Sequence, residues 1–318
     1  MNAEAKACSA DLTLMAGASP KRASRPLPEG LPEVLGGRYR IERLLGVGGM
    51  GAVYRARDLL REQFGEPQPW VALKTLSEDF AEYPDASALL YSEFALTARL
   101  SQRSLVRFYS FEVDPACQRA FITMELLAGN TLDHVLHQYP SGLPWAEAQR
   151  IAVDLLEALH YAHDQGVLHG DLKPSNLMLG DDIRLFDFGL GQAREGFLKG
   201  LPRLARSRFA AWTPRYAAPE LLDGAALSAG ADLYSVACVI YELCSGKHPF
   251  RRQSAKQAQA MELPLEAPAD LPRNLWPALR RALAFDPEQR GSLAELLHAF
   301  RAQQPSASLL ARLLHRLA

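Results

Sequence analysis

The chain has few cysteines, almost no net charge and no long apolar run, and each shortage excludes a class of protein. Its 318 residues contain four cysteines, without a CxxC pair or a spacing typical of a metal site. We therefore expect reduced thiols and a cytoplasmic location. The formal net charge of −1 argues against a general nucleic-acid binder. No apolar run approaches the length of a membrane span, and no cationic segment leads into an apolar core at the N-terminus, so we expect neither an integral membrane segment nor export.

The composition is that of a globular protein with an atypical beginning. Hydrophobic residues make up 48% of the chain and charged residues 22%, and this length allows one large domain or two lobes that share a cleft. Residues 1–37 are rich in Ala, Pro, Ser and Gly and show no periodicity. They predict a disordered leader, with a docking segment as the alternative.

The first part of the remaining chain is predicted to be rich in β-strands. Residues 38–58 place β-type residues on both sides of a glycine turn, and residues 70–76 indicate another strand. Apolar residues spaced along 86–101 predict a helix. The run at 120–127 predicts a buried strand that leads into a polar connection.

Helices dominate the second part. Residues 146–164 carry an apolar face, and residues 231–246 are apolar nearly all round and end at a glycine, which indicates a central buried helix. The order of the two parts suggests two lobes with a cleft between them. The predicted divisions are an N-lobe at about 38–124, a hinge at about 125–130, a C-lobe at about 131–302, and a linker with a short amphipathic helix at 303–318.

Two short strings carry the chemistry. HGDLKPSN at 169–176 supplies Asp171, Lys173 and Asn176, and DFG at 187–189 supplies Asp187. A carboxylate can orient a hydroxyl group and accept its proton, while amide and carboxylate oxygens are ligands that Mg²⁺ prefers. These residue types at these spacings suit holding magnesium-bound ATP against a hydroxyl.

A glycine-rich segment, GVGGMGAV at 46–53, could approach phosphates through its backbone amides. The pattern alone also marks dinucleotide folds and plain turns. A dinucleotide site would open a helix, whereas this segment leads into β-type residues, which favours a hairpin. The residues assigned to this phosphate cradle are Gly46, Val47, Gly48, Gly49, Met50 and Gly51.

Lys74 lies inside an apolar strand, where a charge is unfavourable unless it is paired. Its natural partners are the phosphates and a carboxylate. Glu93, on the predicted helix that follows, is the candidate, and Glu82 is a less well-placed competitor. A lysine that extends from the strand edge into solvent is the structural alternative.

These strings together resemble the eukaryotic-like protein kinase family, and GGMGAVY is especially similar to bacterial Ser/Thr kinases of that family. The resemblance covers residues 38–302 and implies an α+β, protein-kinase-like two-lobed fold. The strings that carry it, in chain order, are GVGGMGAVY, VALK, MELL, HGDLKPSN, DFG, TPRYAAPE, DLYS and DPEQR.

The resemblance implies a role for each site residue. Asp171 would be the catalytic base and Lys173 would neutralise the transferring phosphate, as in the serine/threonine class. Asn176 and Asp187 would hold Mg²⁺, or Mn²⁺ as a substitute. Lys74, held by Glu93, would set the α- and β-phosphates of ATP. The residues implied for the adenine pocket are Val53, Ala72, Met124, Met178 and the backbone of Glu125 and Leu127.

Three further residues are implied to support the site. Thr213 would bond the catalytic Asp and Lys, and Glu220 would pair with Arg290. Asp232 would anchor the catalytic loop from the central helix, unless it is a plain helix N-cap.

The chain departs from the family pattern at two positions. Gly170 stands where relatives place an arginine that receives a phosphate on the activation loop. We therefore predict activity that does not depend strictly on loop phosphorylation. Residues 190–212 carry five cations and one hydroxyl residue, Ser207; the cations fit attraction of an acidic partner or a solvated loop. Thr97, at a usually apolar position, is expected to loosen the active arrangement.

Three functions compete for this pattern. A protein Ser/Thr kinase is favoured; a pseudokinase that binds ATP as a scaffold would lack a catalytic position, and none is missing. A small-molecule kinase would lack the TPxYxAPE segment. The expected partners are protein substrates with Ser/Thr acceptors, a cognate Ser/Thr phosphatase and a second copy in a homodimer, and no nucleic acid.

Overall fold

A computed structural model of the chain describes residues 31–48, 51–76, 86–188, 191–193 and 213–303. Among these residues, no helix combines the length and the apolar character needed to cross a bilayer. The predicted features that lie outside the described residues are the leader up to residue 30, Gly49, Met50, Glu82, most of 190–212 with Ser207, and the helix at 309–318.

The first part of the described chain forms an antiparallel sheet of six strands in the order β1-β2-β3-β4-β6-β5. A short helix, α1, joins β3 to β4, and a longer helix, α2, precedes β5. The bounds are β1 Val34–Leu35, β2 Tyr39–Val47, β3 Gly51–Asp58, α1 Leu59–Gln63, β4 Trp70–Leu76, α2 Ala86–Thr97, β5 Phe108–Val113 and β6 Ala120–Glu125.

Alternation along the central strands assigns each side chain to one face of the sheet. Val53 and Ala72 belong to one apolar cluster, whereas their chain neighbours Tyr54 and Leu73 belong to another. Successive side chains of a strand point to opposite faces. Lys74, two residues after Ala72, therefore shares the face of Val53 and Ala72.

The structured region begins earlier than the sequence predicted. Residues 31–37, which the composition placed in the leader, include β1, and β1 pairs with β2 through Val34↔Arg40 and Leu35↔Tyr39. Leu35 is fully buried. A two-residue strand has too short a pattern to be recognised in a segment rich in Pro and Gly, so the expectation that order begins near residue 38 was wrong at this edge.

The second part is mainly helical, with short strands at the base of the cleft. Its helices are α3 Leu132–Gln138, α4 Trp145–Asp164, α5 Pro219–Leu222, α6 Ala229–Ser245, α7 Ala255–Ala260, α8 Trp276–Ala282 and α9 Leu293–Arg301. Its strands are β7 Asn130–Thr131, β8 Val167–Leu168, β9 Leu177–Leu179, β10 Ile183–Leu185 and β11 Gln192–Ala193, with 3-10 turns at Pro174–Asn176 and Pro287–Gln289.

Helix α6 is the centre of this part, as its apolar sequence predicted. Every side chain from Ala231 to Cys244 is buried. The side chain of Ser228 accepts a hydrogen bond from the Ala231 N–H and caps the N-terminus, and Gly246, at φ 67°, ends the helix in the left-handed region. A cap at each end fixes where the helix begins and stops, so residues placed on it have defined positions.

The two parts are joined along a line behind the cleft. The N–H of Val106, just before β5, donates to the Leu185 carbonyl over 3.0 Å, and the Leu185 N–H donates to the Ser104 carbonyl over 2.7 Å. The segment that follows α2 is thus bonded directly to β10 of the helical part. The architecture is the predicted α+β arrangement of a small sheet lobe and a larger helical lobe.

Candidate active site between the two lobes

Lys74 connects three elements at the cleft. Its Nζ lies 2.7 Å from each carboxylate oxygen of Glu93 on α2 and 2.9 Å from Oδ1 of Asp187 after β10. The Lys74 side chain is only 8% exposed. The sequence predicted the pairing with Glu93, and its structural alternative, a lysine reaching into solvent, is wrong.

The electrostatics of this cluster leave it short of positive charge. Burial would raise the pKa of Asp187, but the nearby Lys74 cation lowers it to about 2. Burial would lower the pKa of Lys74, yet the two carboxylates raise it above its ordinary value. Burial and the neighbouring Asp187 raise the pKa of Glu93. Two carboxylates thus share one lysine, and a further cation would be stabilised beside them.

The residues of the string HGDLKPSN meet on the other side of the cleft. Lys173 Nζ lies 3.0 Å from Asp171 Oδ2 and donates to Thr213 Oγ1 over 2.8 Å. The Asn176 amide donates through Nδ2 to the Asp171 carbonyl over 2.9 Å. These contacts hold the Asp171 carboxylate in one orientation with a cation beside it.

The donor set at Asn176 and Asp187 fits a hard divalent cation. Asn176 is fully buried, and its Oδ1 has no hydrogen-bond partner among the described residues. A buried acceptor without a donor is unfavourable unless a ligand completes it. The described residues contain no cluster of three or more His, Cys, Asp or Glu side chains that could hold a metal alone. Mg²⁺ at this position would therefore take its other ligands from phosphate and water oxygens.

Asp232 of α6 anchors the loop that carries Asp171. Its two oxygens accept the backbone N–H groups of His169 and Gly170, each over 2.8 Å, and Oδ2 also lies 2.8 Å from His163 Nε2. Although burial alone would raise it, these contacts lower the pKa of Asp232. Ser228 is the helix cap, so the alternative of a plain N-cap at Asp232 is wrong.

The departure at Gly170 has a local structural counterpart. Gly170 takes a φ of 83°, a region that glycine enters without the strain of a side chain. Its N–H is held by Asp232 Oδ1, so the conformation is fixed by the helix below it. The glycine therefore suits the backbone of this loop, at the position where the family resemblance implies an arginine.

The glycine-rich segment is a hairpin between β2 and β3. Gly48 N–H donates to the Gly51 carbonyl over 2.7 Å, and Gly51 N–H donates back over 3.3 Å. A side chain at Gly51 would penetrate the Thr75 carbonyl of β4, so only glycine fits there. Gly46 and Val47 end β2, and the Val47 side chain is half exposed.

An apolar cavity lies above the Lys74 cluster. The predicted residues Val53, Ala72, Met124, Glu125 and Leu127 line it. Met178 is fully buried in the same apolar cluster but does not line the cavity. The Glu125 N–H donates to the Arg107 carbonyl over 2.9 Å and is not available to a ligand.

Sequence reasoning missed two residues that line this cavity and one that pairs with Glu125 of its lining. Val106 and Phe186 also line it, and Arg184 of β10 pairs with the Glu125 carboxylate. The position of Phe186 directly before Asp187 was the available signal. Nothing in the sequence indicates that Arg184 lies against a residue 59 positions away.

The pair Glu220–Arg290 is present as predicted. Both guanidinium terminal nitrogens of Arg290 reach the Glu220 carboxylate, over 2.6 and 2.7 Å. The Arg290 side chain is fully buried, and it also donates to the carbonyls of Ala284, Gly230 and Phe285. The pair ties α5 to the segment before α9 within the helical lobe.

Thr97, at the last position of α2, is buried, and its Oγ1 donates to the Glu93 carbonyl over 2.7 Å. The hydroxyl is therefore satisfied within its own helix. Helix α2 stops here, four residues short of the predicted end, although Leu100 beyond it is still buried.

Comparison with known proteins gives a consistent result. Residues 39–300 match the protein kinase domain. The chain is 33% identical over 279 residues to the serine/threonine-protein kinase pkn3 of Myxococcus xanthus, an alignment that covers 82% of this chain and 49% of the relative. It is 31% identical to the serine/threonine-protein kinase PkaA of Streptomyces coelicolor, over 84% of this chain and 50% of the relative.

A third relative is the serine/threonine-protein kinase PknH of Mycobacterium tuberculosis, 32% identical over 82% of this chain and 42% of the relative. The chain spans half or less of the length of these relatives. The match nevertheless includes both lobes and every element that surrounds the cleft. This chain belongs to the protein kinase domain family.

Proposed function

We propose that the protein is a serine/threonine protein kinase that transfers the γ-phosphate of ATP to Ser and Thr hydroxyls of proteins, itself included, in bacterial signalling. One observation carries the proposal: Lys74 is bonded to both Glu93 and Asp187 on one side of the cleft, while Asp171 and Lys173 are bonded on the other. The two groups are suited to the two halves of a phosphoryl transfer.

Asp171 acts on the acceptor. Its carboxylate orients the substrate hydroxyl and accepts the proton as the hydroxyl oxygen bonds to the γ-phosphorus and the bond to the β-phosphate oxygen breaks. The Asn176 amide and Lys173 hold Asp171 in place. Lys173 also lies where it can stabilise the charge on the transferring phosphoryl group. ADP leaves and keeps the oxygen that bridged the β- and γ-phosphorus atoms.

Lys74 and the two oxygen donors act on the nucleotide. Glu93 fixes Lys74 from α2, so that the ammonium can contact the α- and β-phosphates. Asn176 Oδ1 and the Asp187 carboxylate would hold Mg²⁺, or Mn²⁺ in its place. The metal, when bound, neutralises phosphate charge. The cavity lined by Val53, Ala72 and Met124 would enclose the adenine, and the hairpin amides would approach the phosphates.

A pseudokinase scaffold is the alternative, and no feature of the described site favours it. Each catalytic position carries a side chain able to do the chemistry, and the side-chain contacts needed to orient them are present. The proposal places the reaction in the cytoplasm, where ATP is available. The free thiols of Cys117, Cys238 and Cys244 are consistent with that reducing compartment. A cognate Ser/Thr phosphatase and a homodimer are part of the proposal on the strength of the family alone.

The test is transfer of radiolabelled phosphate from ATP with Mg²⁺, to the protein itself and to a generic protein substrate, beside Asp171→Asn. We expect label on Ser or Thr from the parent and a loss of about a thousandfold or more in the variant, which should still bind ATP. Silence from the parent with ATP bound would support the scaffold. Ser207→Ala should retain most activity; a near-complete loss would show that loop phosphorylation is required.

A further inference from the structure

A second cavity, of about 900 Å³, opens on the helical lobe beside the proposed catalytic residues. It lies between α3, the end of α6, the turn that follows α6, and the segment that leads into α5. Pro174, next to Lys173, and Arg215, two residues after Thr213, both line it. Residues that flank an acceptor hydroxyl at Asp171 would therefore pass over this cavity, which we call the flanking cleft.

Cations dominate the rim of the flanking cleft. Lys247, Arg251 and Arg252 are exposed, and Arg215 is half-buried. None of the four forms an ion pair with a carboxylate of the described residues. Cations gathered at a cavity without ion-pair partners repel one another, and an anionic ligand relieves that repulsion.

Three carboxylates also line the cleft, and they differ in burial: Glu242 is buried, Asp133 is half-buried and Glu266 is exposed. Glu242 is buried and accepts a hydrogen bond from the Tyr216 hydroxyl over 2.9 Å. Burial raises the pKa of Glu242 to about 7, although Arg215 and Arg252 oppose this rise from a distance. Asp133 and Glu266 remain, so the cationic side chains at the cleft outnumber these two carboxylates.

The turn that carries two of the arginines is strained. Arg251 and Arg252 have φ values of 51° and 67°, in the left-handed region that side chains other than glycine rarely adopt. Backbone strain of this kind persists where the surroundings enforce it, and it is concentrated at functional sites.

His248 enforces this geometry. Its Nε2 donates to the Arg215 carbonyl over 2.8 Å, and its Nδ1 accepts from the N–H groups of Phe250 and Arg252 over 3.2 and 3.3 Å. Burial and the two nearby arginines lower the pKa of His248 to about 4, so the ring is neutral and serves as both donor and acceptor. One ring thus fixes the backbones of both Arg215 and Arg252.

We propose that the flanking cleft binds acidic side chains next to the acceptor residue, so that the protein selects Ser or Thr in an acidic peptide segment. The inference rests on the proposed function for its acceptor and adds the class of substrate. Arginine presents paired N–H donors that match a carboxylate. Carboxylates drawn to Arg251 and Arg252 would lie at the rim, clear of the buried Glu242.

The experiment uses three peptides that share one Ser acceptor and differ only in flanking residues: Glu, Gln or Lys. We expect kcat/KM with Mg²⁺ and ATP to be about tenfold higher for the Glu peptide than for the Gln peptide, and lowest for the Lys peptide. The preference should shrink as salt rises, because rim charges are screened. Equal rates would overturn the inference, and a preference for Lys would overturn it and assign the cleft to its carboxylates.

Two double variants test whether Arg251 and Arg252 cause the preference for the Glu peptide. Arg251→Glu with Arg252→Glu should lower kcat/KM for the Glu peptide about tenfold or more and leave the Gln peptide unchanged. Arg251→Gly with Arg252→Gly should lose the same preference while the melting temperature rises, because glycine relieves the left-handed strain. A purely structural role for these arginines predicts a stability change with the preference intact, which would contradict the proposal.

The matched control is Arg273→Glu with Arg280→Glu, which makes the same charge change at exposed positions that do not line the flanking cleft. The preference for the Glu peptide should be retained in this control. A loss of preference equal to that of the cleft variant would show that overall charge causes the preference, and it would overturn the inference. Fluorescence anisotropy of the labelled peptides measures their binding without phosphate transfer, so it tests the flanking cleft separately from the proposed kinase activity. If no peptide is phosphorylated, tighter binding of the Glu peptide supports the cleft, and equal binding overturns it.

Discussion

Two buried charge clusters differ in their charge balance. One is the cluster of Lys74, Glu93 and Asp187 between the lobes, and the other is the pair of Arg290 and Glu220 in the helical lobe. In the first, one lysine faces two carboxylates, Glu93 and Asp187. In the second, Arg290 faces one carboxylate, Glu220, and its remaining donors are taken by three backbone carbonyls. The first cluster is drawn from three elements of the two lobes, and the second lies within one lobe.

The difference separates function from stability. The pair at Arg290 is complete, so removing either member leaves buried groups without partners, and the fold is weakened. The cluster at Lys74 has one carboxylate more than it has cations, so a ligand must supply the positive charge that balances it. Losing that carboxylate should harm the ligand's chemistry and leave the remaining pair intact.

Asp187→Asn tests this difference most strongly. We expect activity to fall by about a thousandfold or more because the carboxylate proposed to hold the metal is lost. The melting temperature should hold or rise, since Lys74 and Glu93 then form a balanced pair. Phosphate transfer and thermal unfolding measure the two effects.

The matched control is Asp223→Asn, which removes a carboxylate from the exposed pair with Lys256 and should change neither quantity. A fall of many degrees in the melting temperature of Asp187→Asn would show that the surplus carboxylate is structural, and the contrast between the two regions would fail.

Arg290→Met should show the reverse behaviour. It leaves Glu220 and three carbonyls without their donor, and we expect a loss of about 3 kcal/mol or more in the free energy of unfolding. Denaturant titration measures the loss. Arg281→Met, which breaks an exposed pair with Glu295 in the same lobe, should cost less than about 1 kcal/mol. Comparable losses would mean that burial does not distinguish the two pairs.

Glu242→Gln sharpens the comparison with a buried carboxylate that has no ion-pair partner among the described residues. The pKa of Glu242 is raised from 4.5 to about 7, so the folded state binds its proton more tightly than the unfolded state. Its stabilising contribution is present below pH 4.5 and is lost as pH rises through 7. The variant, which keeps an acceptor for Tyr216, should gain up to about 3 kcal/mol relative to the parent by pH 7.5.

Unfolding measured from pH 4.5 to 8 in both proteins decides the point. The difference should grow between pH 4.5 and 7 and be flat above. Because His248 is present in both, its own titration cancels. A difference that does not depend on pH would show that the Glu242 carboxyl is not perturbed in the folded state.

Thr97→Val should have the smallest effect. The hydroxyl bonds only within α2, so its loss forfeits about 1 kcal/mol that the added buried methyl group offsets. We expect activity within about threefold of the parent in the transfer assay. A large increase would show that Thr97 loosens the position of Glu93, as its polar character suggested.

The parts that sequence predicted well are those with a long pattern or a local rule. Strand β4 has the predicted bounds, and α6 ends at the predicted glycine. The pairing of Lys74 with Glu93 followed from the need to neutralise a charge inside an apolar strand. Periodicity and charge balance act over a few residues or on one side chain, so they can be read without the fold.

The parts that escaped prediction depend on distant segments. Val106 and Phe186 reach the apolar cavity only because the two lobes are bonded behind it. Arg215 and Arg252 are far apart in the chain, and one histidine ring brings their backbones together. Oδ1 of Asn176 has no partner among the described residues, whereas the amide nitrogen of the same side chain donates to the Asp171 carbonyl. The sequence does not show this division between the two atoms.

The bonds behind the cleft define an axis for motion. Val106 and Ser104 are fixed to Leu185, and Glu125, where the sheet lobe ends, is held by Arg184 of the other lobe. Rocking of the lobes must therefore turn about this line, with the smallest displacement there and the largest at the glycine hairpin on the opposite rim. Under the proposed function, opening that releases ADP would proceed without breaking the contacts at the axis. The amide hydrogens of Val106 and Leu185 should exchange far more slowly than those of the hairpin.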